Sequence, residues 1–578
     1  MPHPASSHDS SSPAYAIGVD FGTNSARASV VDCGDGRELS SSVVPFPSGR
    51  QGILLDPADP ELARQRPADY VVGVEQSVRG AVTEASKYED FEPYRVVGLG
   101  IATTGSTPIP VDASGEPLGM TPAFADDLAA QAWLWKDHTA HAEAEEITAL
   151  AQRRGEPYLV KCGGTYSSEW FWSKLLKCCR SSPDVFDAAA SWVECADWVP
   201  AWVCGELDPS RLVRGICPAG HKAMFHADWG GLPSEEFLAE LDPKLAALRP
   251  RLYDAAVPSS EPAGRLCEAV AKRCGLPAGI PVAAGAFDAH HGAVGAGVAP
   301  GTLVKIIGTS TCDITTWPVD PDRPLADVPG ICGIVPGSVI NGQYGLEAGQ
   351  SAVGDLFSWV AGHLTPASYT DGGDVWAALS QEAESLLPGA SGLLALDWNN
   401  GNRTVLVNPR LTGLLVGQTL HSTAAEVYRA AVEATAFGAR VILDRLGEYG
   451  VAIDRVVNCG GIAEKSRLVM QTYADVLGRP MLVSRSDQTC ALGAAMFGSV
   501  VGGHHPTVGD AQAAMCGVGG KSYHPDPDAA RVYDELFALY TQLHDAFGGV
   551  NADASLGEVM PKLMAIRDRQ RRNSPTAE

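Results

Sequence analysis

No run of about 18 apolar residues occurs in the sequence, the length a membrane-spanning helix needs, and the opening "MPHPASSHDSSSP" lacks the apolar core of a secretory signal. Neither a membrane nor an export route is expected. Basic residues are scarce: 43 Lys and Arg stand against 68 Asp and Glu, a formal charge of -25. This balance argues against nucleic acid and acidic membrane surfaces as partners. The 14 cysteines, including the vicinal pair Cys178 and Cys179, show no C-x-x-C pairing and no Cys/His zinc spacing. Cys33, Cys312 and Cys459 fall in apolar strand-like segments and read as small core residues, which suits a reducing cytoplasm. A His-Arg-Asp catalytic loop is also missing, so "DFG" at 20–22 is not the protein-kinase triplet. An anion bound by so acidic a chain needs local help from loop amides, helix N-termini, a few placed cations or Mg2+.

What is present describes a folded chain of at least two domains: 578 residues, 45% hydrophobic and 19% charged. "AYAIGVD" is an apolar run ending in a carboxylate, "FGTNS" supplies turn formers, and "ARASVVD" resumes β-branched character. The pattern predicts a hairpin with a polar tip. Gly22, Thr23, Asn24 and Ser25 could offer amides and hydroxyls to a phosphate there, and Asp20 could orient hydrated Mg2+. Near residue 301 the pattern returns as "GTLVKIIGTSTCDITTW", with Gly308, Thr309 and Ser310 at the tip. Two such turns, each opening about half of the chain, predict a duplicated α/β domain with a nucleotide between the copies. A parallel sheet covered by helices is expected at the core of each half. "TAAEVYRAAVEATAFGARVILDRLGEYG" carries a capping box at Thr423 and Glu426 and a terminating Gly450. The following "IDRVVNCGGIAEKSRLVMQTYADVLGRPMLVS" reads as strand, Gly460-Gly461 turn, helix, strand, a nucleotide-carrying βαβ unit. Both chain ends read as solvated tails.

Polar residues in apolar or small-residue settings mark candidate chemistry. Asp288, in "AGAFDAHHGAVGAGV", is either a helix cap or a base for a substrate hydroxyl, with His290 and His291 as rival bases. Lys222 is either a surface lysine or a donor to a sugar oxygen, and Glu347, among small residues, needs a partner or a ligand. "WLWKDH", Trp133 to His138, pairs aromatic faces with charges in a way that suits carbohydrate or any amphipathic rim.

Together "DFGTNSAR", "AGAFDAH", "IGTSTCD", "GLEAGQSAVGD", "DWNNGNRT" and "NCGGIAEKS" resemble the FGGY carbohydrate kinases, from about residue 14 to about 545. "LWKDHTA", "GTYSSEWFW", "AGHKA" and "HADWGGLP" narrow the likeness to the branch acting on ketopentoses. One departure stands out: Ala284 replaces the first glycine of the family's "GGAFD" segment. The resemblance implies two duplicated domains of the actin, Hsp70 and sugar-kinase type, with ATP and Mg2+ in the cleft. Expected boundaries are a tail over 1–13, an N-terminal domain over 14–300, a C-terminal domain over 301–550 and a tail over 551–578. It further implies that Asp20 helps to hold Mg2+, that Gly22 to Ser25 and Gly308 to Ser310 face the phosphates, and that Gly460 and Gly461 lie against adenosine. Asp288 would be the general base, and Thr104, Gly105, Lys222 and Glu347 would line the sugar pocket. The implied reaction is ATP-dependent phosphorylation of the terminal hydroxyl of a ketopentose, L-ribulose first, as in L-arabinose catabolism. D-ribulose, D-xylulose and ribitol stay open as substrates, an actin- or Hsp70-like ATPase switch and a silent sugar sensor as rivals, and a homodimer as an assembly.

Overall fold

The computed structural model describes residues 13–369, 373–551 and 553–573. The expected N-terminal tail, apart from Pro13, lies outside them. Each half of the chain is built on a seven-stranded sheet. In the first, Tyr15–Phe21 and Ser25–Asp32 form the expected hairpin; Glu38–Pro45 adds to its second strand, and Val96–Thr103 runs parallel to its first. In the second, Gly301–Ile307 and Thr311–Pro318 pair in the same way, flanked by Gln343–Ala348 and by a parallel Ile453–Cys459. The repeated order is the duplication that the two glycine turns announce. Both sheets are mixed rather than parallel, which corrects the expected core. A hairpin tip of three residues forces antiparallel pairing, and parallel neighbours arise only where a longer crossover intervenes.

The helix Ala424–Glu448 starts at a complete capping box, with Glu426 N donating to Thr423 Oγ1 at 3.2 Å and Thr423 N to Glu426 at 3.0 Å. It stops where Gly450 takes φ +85. After Gly460 the expected single helix is two, Gly461–Lys465 and Arg467–Leu477, because the Ser466 hydroxyl caps the second by accepting from Val469 N at 3.3 Å. The expected tail over 551–578 instead carries a helix, Val559–Asn573. Val559, Leu563 and Ile566 bury one stripe against the second lobe, and Arg571 pairs with Glu426 at 2.8 Å. Its charge run hides three apolar residues at helical spacing.

The two halves meet through the helix Thr489–Val501, which lies on the first sheet with backbone almost against backbone. A Cβ placed on Gly18, Gly98 or Gly100 would lie 1.7, 1.9 or 1.8 Å from the carbonyl oxygens of Ala491, Gly498 and Ala494. The helix Asp288–Gly295 docks on the same helix by the same means: a Cβ on Gly493 would sit 1.8 Å from His291 O, and one on Gly295 2.1 Å from Thr489 O. Backbone on both sides leaves nothing able to yield. Gly100→Ala should therefore cost at least about 2 kcal/mol of stability. Gly461→Ala, whose Cβ would meet nothing within 4 Å, should leave the urea midpoint unmoved.

Candidate active site

The first polar tip is a tight turn braced on three sides. Gly22 N donates to Ser25 O at 3.0 Å, Gln65 Nε2 to Thr23 O at 2.8 Å, and Trp135 Nε1 to Thr23 Oγ1 at 3.1 Å. The Thr23 hydroxyl keeps its proton for a ligand. The Asn24 side chain is committed elsewhere, donating to Gln51 O at 2.7 Å, so its part is to brace the turn. A Cβ on Gly22 would meet only Ser25 O, at 3.6 Å, which leaves room in front of the turn. The second tip repeats the design: Gly308 N donates to Ser310 O at 2.9 Å, and Thr309 O accepts from Val353 N at 2.8 Å. Gly308 and Thr309 are exposed. Gly460 sits where a Cβ would lie 2.3 Å from Ile307 O, so it lets the third turn pack against the strand feeding the second tip. Gly461 faces open space.

Asp20 lies one residue before the end of the first strand, and the hairpin register sets Arg27 directly opposite. Burial pushes the Asp20 carboxyl up to about 6, against the pull of Arg27, and its Oδ1 has no hydrogen-bond partner among the described residues. An orphaned carboxylate beside turns with free space fits a hydrated Mg2+ held through its waters, most of which the ion keeps when bound. Asp288 opens its helix as the first helical residue, with Phe287 at the cap position, so it is not the cap that one reading of the sequence made it. Among the described residues its carboxylate accepts from no more than the next amide, Ala289 N, at 2.6 Å. Burial first, and then the Asp20 charge, push the Asp288 carboxyl up to about 7, while part of the residue stays open to the cleft.

Opposite Asp288, Lys222 ends the helix Ile216–Lys222 and reaches across to Glu347 on Gln343–Ala348, with Nζ 2.8 and 3.0 Å from the two carboxylate oxygens. The pair joins residues from the two halves. Burial alone would lower the ammonium and raise the carboxyl; their mutual attraction overrides it, holding Lys222 charged above its usual range and Glu347 ionised well below its own. Trp170 and Phe287 rings lie 5.2 and 5.8 Å from Nζ. Thr104 and Gly105 form the turn beside Phe287, where Thr104 N donates to Phe21 O at 2.9 Å and the Thr104 and Thr107 hydroxyls meet at 3.1 Å.

Four further residues belong to this neighbourhood. Arg27 was readable, since a hairpin closed between Gly22 and Ser25 must set it against Asp20. His221 and His290, both from the first half, flank Glu347 of the second at 3.4 and 3.7 Å, and no local pattern joins them. Lys174 is fully buried and donates to Ser106 O, Leu134 O and Trp133 O at 2.7, 2.9 and 3.3 Å, tying the Thr104–Gly105 turn to the segment that braces Thr23. Trp133, which suits a carbohydrate rim by sequence, is instead core: its ring is buried and stacked under Arg64 at 3.5 Å. His291 turns away from the cleft toward Ser259 and Phe497.

Residues 15–295 match the N-terminal domain, and residues 303–501 the C-terminal domain, of the FGGY family of carbohydrate kinases. The chain is 41% identical to a ribulokinase of Vibrio parahaemolyticus over 547 residues, 92% of this chain and 95% of that one. It is 40% identical to a ribulokinase of Mycolicibacterium smegmatis over 554 residues, 93% and 95% of the two chains. Among solved structures, a xylulose kinase of Rhodospirillum rubrum superposes with TM-score 0.72 at 25% identity, covering 92% of this chain and 99% of that one. Plasmodium falciparum glycerol kinase with ADP superposes with TM-score 0.73 at 14% identity, over 92% and 98% of the two chains, a likeness of fold.

The cross-lobe pair yields a stability test. Glu347→Leu leaves the Lys222 ammonium buried without its partner and should cost about 3 kcal/mol. Adding Lys222→Met should recover most of that loss in urea denaturation without restoring the site.

Proposed function

The chain belongs to the FGGY family of carbohydrate kinases, and from that membership we propose that it is a ribulokinase, transferring the γ-phosphoryl of ATP to the terminal hydroxyl of a ketopentose, L-ribulose first. One observation carries the reading: among the described residues the Asp288 carboxylate is bonded to nothing but its own neighbour's amide, and it lies within the field of Glu347, whose Lys222 partner comes from the other half. A polyol offers what such a pair needs, hydroxyls that donate to the carboxylate and accept from the ammonium. Full-length likeness to ribulokinases supports the choice of sugar. Free thiols at every cysteine and the lack of a helix long and apolar enough to cross a membrane among the described residues are in keeping with a cytoplasmic enzyme.

In this reading Lys222, Glu347 and the Thr104–Gly105 turn hold the sugar so that its terminal hydroxyl lies against Asp288. Asp288 takes the hydroxyl proton as the oxygen bonds to the γ-phosphorus, and the bond to the bridging oxygen breaks with ADP keeping the electron pair. The amides of Gly22 to Ser25 and Gly308 to Ser310, and the Thr23 hydroxyl, receive the phosphates from the two lobes. Gly460 and Gly461 leave the space for adenosine. Asp20, with Arg27 beside it, would hold Mg2+ through water, and the ion would supply charge neutralisation at the phosphates. Closing the lobes excludes the water that would otherwise accept the phosphoryl group.

Coupled ADP release with Mg-ATP should be strongest on L-ribulose when compared with D-ribulose, D-xylulose, ribitol, glycerol and a blank without sugar. Release indifferent to every sugar would overturn the kinase reading in favour of an ATPase switch. Because Asp288 must be ionised to accept a proton and its carboxyl is held up to about 7, kcat/KM should rise with pH through about 7 and level above it. Asp288→Asn should lower kcat by about 10²- to 10⁴-fold while L-ribulose still binds in calorimetry. Unchanged turnover would remove Asp288 as the base.

A further inference from the structure

His221, His290 and Glu347 converge on one point beneath the sugar pocket. One ligand atom from each lies within 4.8 Å of the others. His221 Nδ1 is 3.4 Å and His290 Nε2 3.7 Å from Glu347 Oε2. Two ligands bound to a tetrahedral ion at about 2.0–2.1 Å stand roughly 3.3 Å apart, so each imidazole needs to close on Glu347 by only a few tenths of an ångström, and the two imidazoles, within 4.8 Å of each other, draw together around the ion. All three are nine-tenths buried or more, and the two nitrogens have no hydrogen-bond partner among the described residues. His221 Nε2 meets Ser338 Oγ at 2.9 Å, the kind of outer contact that fixes the orientation of a ligating imidazole. Burial first holds both rings in the neutral, ligating form, His290 down at about 4 and His221 well below its usual value.

We propose that His221, His290 and Glu347 form a site for a borderline-soft divalent cation of the Zn2+ class, and that this ion and the sugar exclude each other. Two imidazoles, one carboxylate and an open fourth position make the donor set of such an ion, whereas Mg2+ prefers oxygen ligands and keeps its water. Lys222 is the obstacle that sets the coupling. Its ammonium already occupies both Glu347 oxygens, and an ion beside it meets a like charge in a buried setting. Ion binding therefore requires Lys222 to swing off Glu347, toward the Trp170 and Phe287 rings that lie under 6 Å from Nζ. With the ion in place, neither Lys222 nor Glu347 is free for hydroxyls. The exclusion rests on the sugar-pocket reading of Lys222 and Glu347; the ion site itself does not.

The test uses the full-length protein, stripped with a chelator and titrated with Co2+ as a spectroscopic stand-in for Zn2+. One Co2+ per chain is expected, with the visible ligand-field bands of four-coordinate metal, displaced by Zn2+. His290→Asn should weaken binding at least about tenfold, a lost first ligand being worth no less than a lost outer contact, and Lys222→Met should tighten it, a gain that misfolding cannot mimic. Saturating L-ribulose should weaken it as well, and buffered free Zn2+ should raise the apparent KM for L-ribulose without raising that for Mg-ATP. Binding undiminished in His290→Asn would place the ion on other histidines, such as the stacked His138 and His141, and overturn the site. The absence of a stoichiometric Co2+ spectrum would overturn it too. Co2+ affinity indifferent to L-ribulose, in protein that turns the sugar over, would overturn the exclusion. Turnover by the ion-free wild type, run alongside, reports separately on the kinase reading.

Discussion

The close seating of the helix Thr489–Val501 on the first sheet is the constraint from which the rest of the site follows. Its carbonyl oxygens rest where side chains on Gly18, Gly98 and Gly100 would otherwise stand. Gly18 lies on the strand that carries Asp20, and Gly98 and Gly100 on the strand that leads into Thr104 and Gly105. The same helix receives the helix headed by Asp288 through Gly493 and Gly295. One glycine-lined contact thus sets the heights of both carboxylates and of the sugar turn relative to the second lobe.

Electrostatics then divide the cleft into two regions. Near the two hairpin tips, turn amides, a threonine hydroxyl and Arg27 gather donors in a chain of charge -25, the local help a polyanion would need. Deeper in, desolvation raises Asp288 and Asp20, while the attraction of Lys222 depresses Glu347. Carboxylates a short way apart are pushed in opposite directions by their surroundings. The one left poised near neutrality suits proton transfer, and the one held ionised suits binding. Lys174, beneath both regions, ties the sugar turn to the Thr23 brace through three backbone carbonyls.

Much of this was legible in the residues because it is local. The two hairpins, their tips, the capping box at Thr423 and the three glycine turns each follow from periodicity and turn chemistry within about ten positions. The mixed character of the sheets is implicit in the hairpins, although the βαβ unit near Gly460 on its own points to parallel pairing. Arg27 follows from the register of the first hairpin. Trp133 misled because an aromatic beside charges looks alike whether it lines a pocket or stacks under a buried Arg64. The helix Val559–Asn573 escaped because its apolar stripe is three residues wide in a charged run. The meeting of His221, Lys222, His290 and Glu347 is a product of tertiary structure, drawn from three separate stretches between residues 221 and 347, and no spacing rule reaches it.

The account stands on one spatial claim, that the two lobes deliver phosphate and sugar to the same side of Asp288. A structure of the full-length protein with L-ribulose, Mg2+ and a non-hydrolysable ATP analogue measures it directly. The terminal sugar oxygen is expected within hydrogen-bond reach of the Asp288 carboxylate and in line with a γ-phosphate held between Gly22–Ser25 and Gly308–Ser310. A sugar bound with that oxygen turned away from Asp288, or phosphates seated outside those turns, would contradict it.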